Sequence, residues 1–205
     1  MTSVGIDEVG RGCWAGPLVA GAVILNQPID GLKDSKKLSA NQRQQLAKTI
    51  HSEAGIAALG WVTAKEIDSL GLTKAVSLAM QRAIDQIQMD YQEIIIDGNY
   101  NFLFPNPKSR TIIKADCLVA EVSAASIIAK VARDQYMSQV AKKYPNYGFE
   151  KHVGYGTDLH RERLQKYGPC DQHRRSFKPI QLMLDTRVAE EQGMIISLND
   201  FPTIV

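Results

Sequence analysis

The segment Glu93-Ile-Ile-Ile-Asp-Gly restricts the possible fold more than any other stretch of this chain. Its three isoleucines follow one another without polar alternation, which is typical of a strand that is covered on both faces of a sheet. Such strands lie inside α/β sheets, and ligands in those folds gather at the carboxyl edge of the sheet. Asp97 ends the strand at that edge. An aspartate that merely begins an Asp-Gly turn explains the pattern equally well.

A second strand with carboxylates lies near the N-terminus, where the apolar run from Val4 enters a turn with glycines at positions 10, 12 and 16, which we call the glycine turn. Asp7 and Glu8 are adjacent in it and therefore face opposite sides of a sheet. We expect both to approach one metal or phosphate only if the strand ends or bulges there, which glycines permit. Arg11 is the charged residue of the turn. The glycine spacing matches neither the dinucleotide fingerprint nor the phosphate loop, and a solvated Asp-Glu pair is the ordinary alternative.

Composition indicates a globular chain with one sizeable core. The 205 residues are 44% hydrophobic and 22% charged. No apolar run approaches the length of a bilayer span and the N-terminus lacks a secretion signal, so we expect a cytoplasmic location without membrane contact. Cys13, Cys117 and Cys170 are far apart and odd in number, which argues against a disulfide framework or a zinc site.

The net charge of +2 conceals a separation of charges along the chain. Residues 1–141 carry 14 basic and 14 acidic side chains, whereas residues 142–178 carry nine basic and four acidic ones. Residues 179–205 carry one basic and four acidic side chains. A basic segment beside a carboxylate site suggests that a polyanion binds there. A charge run is, however, more often only a solvated face.

Strand and helix patterns alternate through the first two thirds of the chain. The apolar run from Gly16 to Leu25 predicts a strand that pairs with the first as a hairpin. Ser39, with Gln42 three residues later, predicts a capping box and a helix to about Ser52. The remaining predictions are a strand at 56–62, a helix at 73–88, a short strand at 111–114 and a long helix from 119 to about 142.

Several charged residues have ordinary structural explanations. Asp116 lies at the predicted start of the long helix, where capping alone would account for it. We interpret Lys130, Arg133 and Asp134, further along that helix, as internal ion pairs. The loop 33–37 contains cations that would suit phosphates, although a solvated loop is the simpler explanation.

The composition changes after Pro145. The stretches 147–149 and 154–157 have the aromatic and glycine content of a loop that lies against a sugar or base. The segment 168–178, with its histidine and arginines, would supply phosphate contacts. The last dozen residues are expected to form a poorly packed tail.

Four carboxylates lie near strand ends or a helix start: Asp7, Glu8, Asp97 and Asp116. A set of oxygen ligands favours Mg²⁺ or Mn²⁺ over zinc or copper. Two such ions about 4 Å apart would activate water and stabilise the leaving oxygen of a phosphodiester. This chemistry needs no cysteine, serine or histidine nucleophile.

Six motifs in order resemble those of the ribonuclease HII family. They are Gly5-Ile-Asp-Glu-Val-Gly-Arg-Gly, Lys33-Asp-Ser-Lys, Ile96-Asp-Gly, Lys114-Ala-Asp, Ser123-Ala-Ala-Ser-Ile-Ile-Ala-Lys and Gly154-Tyr-Gly-Thr. The resemblance covers residues 4 to about 180. It implies an α/β, ribonuclease H-like fold: a mixed five-stranded sheet flanked by helices, with a small C-terminal helical subdomain. We accordingly expect a catalytic core at 1–142 and a basic, substrate-binding helical part with a tail at 143–205.

The resemblance also assigns a reaction and its residues. It implies an endoribonuclease that cuts RNA paired to DNA, or a ribonucleotide embedded in duplex DNA, and leaves a 3′-hydroxyl and a 5′-phosphate. Its metal ligands and catalytic residues match Asp7, Glu8, Asp97 and Asp116. Its substrate-binding residues match Gly10, Arg11, Gly12, Lys36 and Tyr155. The glycine turn would recognise the 2′-hydroxyl, which distinguishes RNA from DNA, and Tyr155 would pack at the RNA–DNA junction.

Two other classes of function are weighed against this one. A non-catalytic module that binds hybrids would keep the basic segment but would not need four convergent carboxylates, and a phosphotransferase on small nucleotides would not need the basic segment. Gln181-Leu-Met-Leu faintly resembles a sliding-clamp peptide, but its helical spacing favours core packing. We expect a monomer, and no clamp partner is claimed. Arg11 and the early first strand fit ribonuclease HII better than its sibling class, ribonuclease HIII.

Overall fold

A mixed five-stranded sheet forms the centre of the molecule. The computed structural model describes residues 2–32 and 38–191. The strands are β1 (Ser3–Val9), β2 (Leu18–Leu25), β3 (Ala54–Val62), β4 (Glu93–Asp97) and β5 (Ser109–Ile112). Their order is β3-β2-β1-β4-β5, with β1 antiparallel to β2 and parallel to β4. This confirms the α/β fold with a mixed five-stranded sheet.

Helices cover both faces of the sheet and form the C-terminal part. They are α1 (Ala40–Glu53), α2 (Ala64–Leu70), α3 (Leu72–Ile84), α4 (Ala115–Leu118), α5 (Ala120–Lys143), α6 (Phe149–His152), α7 (Asp158–Tyr167) and α8 (Lys178–Glu191). α3 packs on one face of β1, β2 and β3, whereas α5 crosses the other face. No helix in the described ranges is long and apolar enough to cross a bilayer.

Close approach of α5 to the sheet explains a glycine in the first strand. A Cβ atom on Gly5 would lie 2.1 Å from the carbonyl carbon of Glu121 in α5, so no larger residue fits without displacement. The next residue of β1 on this face is Asp7, which forms a hydrogen bond with Ser126 of α5. The glycine therefore lets the helix reach the first carboxylate.

Most predicted elements are present. The Ser39 capping box is formed, with the Ser39 side chain accepting from Gln42 N and the Gln42 side chain accepting from Ser39 N. The hairpin of β1 and β2 and the doubly covered β4 are also confirmed. The helix predicted to run to Gln88 ends at Ile84, and the strand predicted at 111–114 lies at Ser109–Ile112. α2 was not predicted.

Two predictions about charged residues are wrong. Asp116 does not start the long helix. It lies in the separate short helix α4, and Val119, with an extended backbone, separates α4 from α5. The predicted ion pair of Lys130 with Asp134 is confirmed, with Lys130 Nζ 2.8 Å from the carboxylate, but Arg133 forms no ion pair in the described ranges and donates to backbone carbonyls instead. Lys36, in the loop 33–37, and the tail beyond Glu191 lie outside the described residues.

The aromatic residues at 147 and 149 are core residues, not a surface for a sugar or base. Tyr147 and Phe149 are buried with their rings stacked 5.3 Å apart. His160 and His173 pack against Phe149, and all these side chains belong to the interior of the C-terminal part. Ile180 of α8 is fully buried and Leu182, Met183 and Leu184 are partly buried, which agrees with packing of the Gln181–Leu184 segment.

Candidate active site

Sheet register brings Asp7 and Asp97 together. β1 and β4 are parallel and pair residue by residue up to Ile6 and Ile96, and the next residue of each strand is an aspartate. Both aspartates point to the face that α5 covers, because their alternate neighbours Gly5 and Ile95 face α5 and its surroundings. Two carboxylates thus lie at the same height and on the same face of neighbouring strands, directly after the last paired residues of β1 and β4.

Burial and like charges disturb the ionisation of these groups. Burial is the largest cause that raises the pKa of Asp7, to about 7. The charges of Glu8 and Asp97 contribute smaller parts of this rise, and the hydrogen bond with Ser126 opposes it. Burial also raises the pKa of Glu8, against the opposing charge of Arg11. A cation beside these oxygens would remove this repulsion.

Glu8 follows Asp7 in regular strand pairing, without the bulge that we expected. β1 pairs regularly with β2 through Val9, so Glu8 faces the side opposite Asp7. The β4 pairing stops at Ile6, which leaves the other edge of β1 open at Glu8. The Glu8 carboxylate accepts from Arg11 Nη1 at 3.3 Å, and the charge of Asp97 raises the pKa of Glu8.

Asp116 is linked to Asp97 through the backbone. Lys114 adopts a left-handed φ of 60°, which turns the chain from β5 into α4. Ala115 N then donates to Asp97 Oδ1 at 2.7 Å, and Asp116 follows as a buried residue, 8% exposed. In the described ranges, no three Asp, Glu, His or Cys side chains are arranged closely enough to hold a metal ion. The donor chemistry fits a hard divalent cation, and the assignment of all four ligands stays a prediction.

Gly10 and Gly12 of the glycine turn differ in backbone conformation and in the space around them. Gly10 has φ +88°, and a Cβ there would lie 2.3 Å from Arg133 Nε, so the fold itself requires glycine. Gly12 has no such conformation, is exposed, and a Cβ there would meet nothing within 4 Å. The fold therefore gives no reason for glycine at position 12, and the free space suits the close approach of a ligand.

Arg11 and Tyr155 are both exposed near this turn. The Arg11 guanidinium lies 5.1 Å from the centre of the Phe102 ring, which holds it beside Glu8. Tyr155 is 40% exposed and its side chain forms a hydrogen bond with the buried Cys13 of the turn. Sequence reasoning missed Phe102 and Cys13 as supports of the site, because nothing in their local pattern distinguishes them from core residues.

Buried histidines anchor the Tyr155 backbone. The Tyr155 carbonyl can only accept, so His160 Nδ1 donates to it at 2.9 Å and His160 Nε2 is left to accept from His173 Nε2 at 3.0 Å. Cys170 N completes the chain by donating to His173 Nδ1 at 2.9 Å. Burial lowers the pKa of His160 to about 3 and that of His173 to about 4, so both rings are neutral. His173 and the neighbouring Arg174 are thus buried and do not face a phosphate, contrary to our expectation for 168–178.

Solved structures with this fold identify the class of protein. Ribonuclease H2 from Pyrococcus horikoshii OT3 matches with a TM-score of 0.77 and 28% identity, over 91% of this chain and 98% of that one. The ribonuclease HII of a PCNA complex from Archaeoglobus fulgidus matches with a TM-score of 0.73 and 26% identity, over 87% of this chain and 96% of that one. Bst ribonuclease HIII in complex with Mn²⁺ shares the fold at a TM-score of 0.70 and 21% identity, over 91% and 70%. The fold and its carboxylate edge define a ribonuclease H-like nuclease.

Sequence comparison gives the family. The profile described as Ribonuclease HII matches residues 4–180. The ribonuclease HII of Bordetella avium (strain 197N) is 47% identical over 182 residues, which cover 86% of this chain and 88% of that protein. This chain belongs to the ribonuclease HII family, and it is a hydrolase of the ribonuclease H endonuclease class.

Proposed function

We propose that this protein hydrolyses the RNA strand of RNA–DNA hybrids and cuts on the 5′ side of ribonucleotides embedded in duplex DNA. The products would carry a 3′-hydroxyl and a 5′-phosphate, and the biological role would be ribonucleotide removal during DNA replication or repair. A cytoplasmic location and a monomeric state stay predictions from the sequence. The observation that carries the proposal is the placement of Asp7 and Asp97 at one height of neighbouring strands, beside the glycine turn.

We assign Asp7, Glu8, Asp97 and Asp116 as ligands of two Mg²⁺ or Mn²⁺ ions. When bound, such ions activate a water molecule and stabilise the leaving oxygen. The oxygen donors and the mutual repulsion that raises the pKa of Asp7 support this assignment. Ser126 and Ala115 N hold the carboxylates of Asp7 and Asp97 in place, and Arg11 does so for Glu8.

We assign substrate recognition to the glycine turn and to the C-terminal part. The exposed Gly12 and Arg11 would meet the 2′-hydroxyl and the adjoining phosphates, and the half-exposed Tyr155 ring would pack at the junction. Residues 143–205 would act as the basic substrate-binding part. Seven of the nine cations between 142 and 178 are exposed, all except Arg163 and Arg174, as contacts to a duplex backbone require.

A cleavage assay tests the proposal directly. A labelled DNA duplex with one ribonucleotide is incubated with Mg²⁺, with Mn²⁺ or with chelator, beside an all-DNA duplex and a long hybrid. We expect a metal-dependent cut 5′ to the ribonucleotide that is absent from the all-DNA control. Cleavage of the long hybrid alone would remove the junction assignment but keep the metal site. No cleavage of any substrate would refute the proposed function.

A further inference from the structure

Two arginines are buried beneath the glycine turn without a carboxylate partner. Arg133 of α5 and Arg174, just before α8, are both 0% exposed. In the described part of the chain neither forms an ion pair. Burying a guanidinium is costly unless its donors are satisfied, so the contacts that these side chains make must be favourable ones.

Four of the six guanidinium nitrogens bind backbone carbonyls of the turn. Arg133 Nε donates to Pro17 O at 2.8 Å and Nη2 to Ala15 O at 3.1 Å. Arg174 Nε donates to Gly16 O and Nη1 to Arg11 O, each at 3.1 Å. Together the two side chains hold four carbonyl groups between positions 11 and 17.

Arg133 also connects the turn with the segment that carries Tyr155. Its Nη1 donates to Val153 O at 2.8 Å. The next carbonyl, Gly154 O, accepts from Trp14 N at 2.8 Å, and the Tyr155 side chain bonds to Cys13. The turn and the Tyr155 segment are thus joined around one guanidinium.

The charge of Arg174 is only partly compensated by its hydrogen bonds. Arg174 Nη2 has no hydrogen-bond partner among the described residues, so its charge is incompletely compensated. Burial lowers the pKa of Arg174 to about 10, which still leaves it charged at neutral pH. Uncompensated positive charge beneath exposed backbone favours the approach of an anion such as a phosphate.

We propose that Arg133 and Arg174 are positioning residues for ribonucleotide recognition. They do not touch the substrate. Their guanidinium groups hold the Gly10–Gly12 segment of the turn and Tyr155 in one fixed position relative to each other. In that position the turn and Tyr155 together recognise the ribonucleotide junction. This inference rests on the proposed function.

Lysine variants separate this role from simple support of the fold. Arg133→Lys and Arg174→Lys keep the charge but cannot reproduce the planar fork of donors. Arg82→Lys is the matched control, because Arg82 also donates to a backbone carbonyl, that of Trp61, and lies outside the site. Each variant is combined with Tyr155→Ala. kcat/KM is measured on the duplex with one ribonucleotide, well below the melting temperature of every variant.

Coupling between the substitutions is the decisive result. If the arginines act through Tyr155, the factor by which Tyr155→Ala lowers kcat/KM should be at least about threefold smaller in the Arg133→Lys and Arg174→Lys proteins than in wild type. The same factor should be unchanged in the Arg82→Lys protein, because only the effects of coupled residues are non-additive. Equal losses in all backgrounds would overturn the inference, and so would lysine variants with wild-type kcat/KM.

If Arg133→Lys fails to fold, Arg174→Lys, which loses fewer bonds, decides alone. If neither folds, the role is purely structural and the inference fails. A wild-type protein that cuts the long hybrid but not this duplex would remove the junction assignment and this inference with it, and a wild-type protein that cuts neither substrate would refute the proposed function.

Discussion

The carboxylate edge of the sheet and the glycine turn lie side by side but are built in opposite ways. Asp7 and Asp97 sit on regular strands, and the pairing of β1 with β4 alone places them together. The turn has irregular backbone, and its carbonyls are held by side chains that lie 116 to 163 residues further along the chain. In the proposed function, the catalytic carboxylates thus lie on the regular sheet, whereas the recognition turn is held together by long-range contacts.

This difference has a consequence for mutations. Substitutions of the carboxylates at the sheet edge should abolish turnover and leave the fold intact, because strand pairing does not depend on the carboxyl groups. Damage beneath the turn should affect stability and substrate choice together, because the same hydrogen bonds serve both. The predictions below separate the two regions.

The largest effect is expected for Asp97→Asn. The amide oxygen still accepts from Ala115 N, so the fold should persist, while the metal ligand is weakened. We expect kcat to fall by roughly a thousandfold, the equivalent of several kcal/mol of transition-state stabilisation, with binding of the duplex retained. Asp90→Asn, at an exposed position before β4, is the control. Unchanged turnover in Asp97→Asn would contradict the metal assignment.

Alanine at the two glycines of the turn should act differently. Gly10→Ala is expected to lower the free energy of unfolding by about 2–4 kcal/mol, because of its positive φ and the contact with Arg133. Gly12→Ala should leave stability within about 0.5 kcal/mol of wild type. It should still lower kcat/KM at least about tenfold, or 1.4 kcal/mol.

Denaturation curves and the single-ribonucleotide cleavage assay measure these two quantities. A strongly destabilised Gly12→Ala would show that the space around this residue is needed by the fold. A fully active Gly12→Ala would show that no substrate group approaches it.

Acid should weaken the support of Tyr155 through the histidines. His160 and His173 have pKa values of about 3 and 4 in the fold, below the ordinary value of 6.5. At these two residues the unfolded chain therefore binds more protons below pH 6.5, so the contribution of the histidines to stability should fall as the pH drops from 6.5 towards 4. The loss is at most about 1.4 kcal/mol per pH unit for each histidine.

Urea denaturation at a series of pH values checks this slope. His173→Gln should reduce the pH dependence of the free energy of unfolding between pH 6 and pH 4.5 by an amount that corresponds to about one bound proton. The variants should also be compared at pH 8, where the histidines are neutral in both the folded and the unfolded state. A slope that is unaffected by the substitution would show that His173 is not buried as a neutral ring.

The smallest effect is expected for Tyr155→Phe. This change removes the hydrogen bond to Cys13 but keeps the ring that would pack at the junction. A single such bond contributes about 1 kcal/mol, so kcat/KM on the single-ribonucleotide duplex should fall by at most about fivefold. Tyr167→Phe, in the exposed last turn of α7, is the control. A loss as large as that of Asp97→Asn would assign the hydroxyl a direct part in the chemistry.

Local patterns predicted the elements that local forces decide. The Ser39 capping box, the β-branched run of β4 and the hairpin of β1 with β2 are confirmed. The error at Asp116 has a local cause as well, since periodicity did not reveal the left-handed Lys114 or the break at Val119. A signal for Arg133 did exist: it lies four residues before Met137 and shares the buried face of α5 with it.

The sequence by itself determined the family and most of the sheet-forming segments, because motif order and hydrophobic periodicity are written along the chain, and it predicted the four carboxylates of the site. Only the tertiary structure decided that Gly10 serves the fold while Gly12 lies in free space, and that Arg133 and Arg174 hold the turn. The physical reason is that burial and hydrogen bonding between distant residues depend on how the elements pack. Neither leaves a periodic trace in the segments that take part.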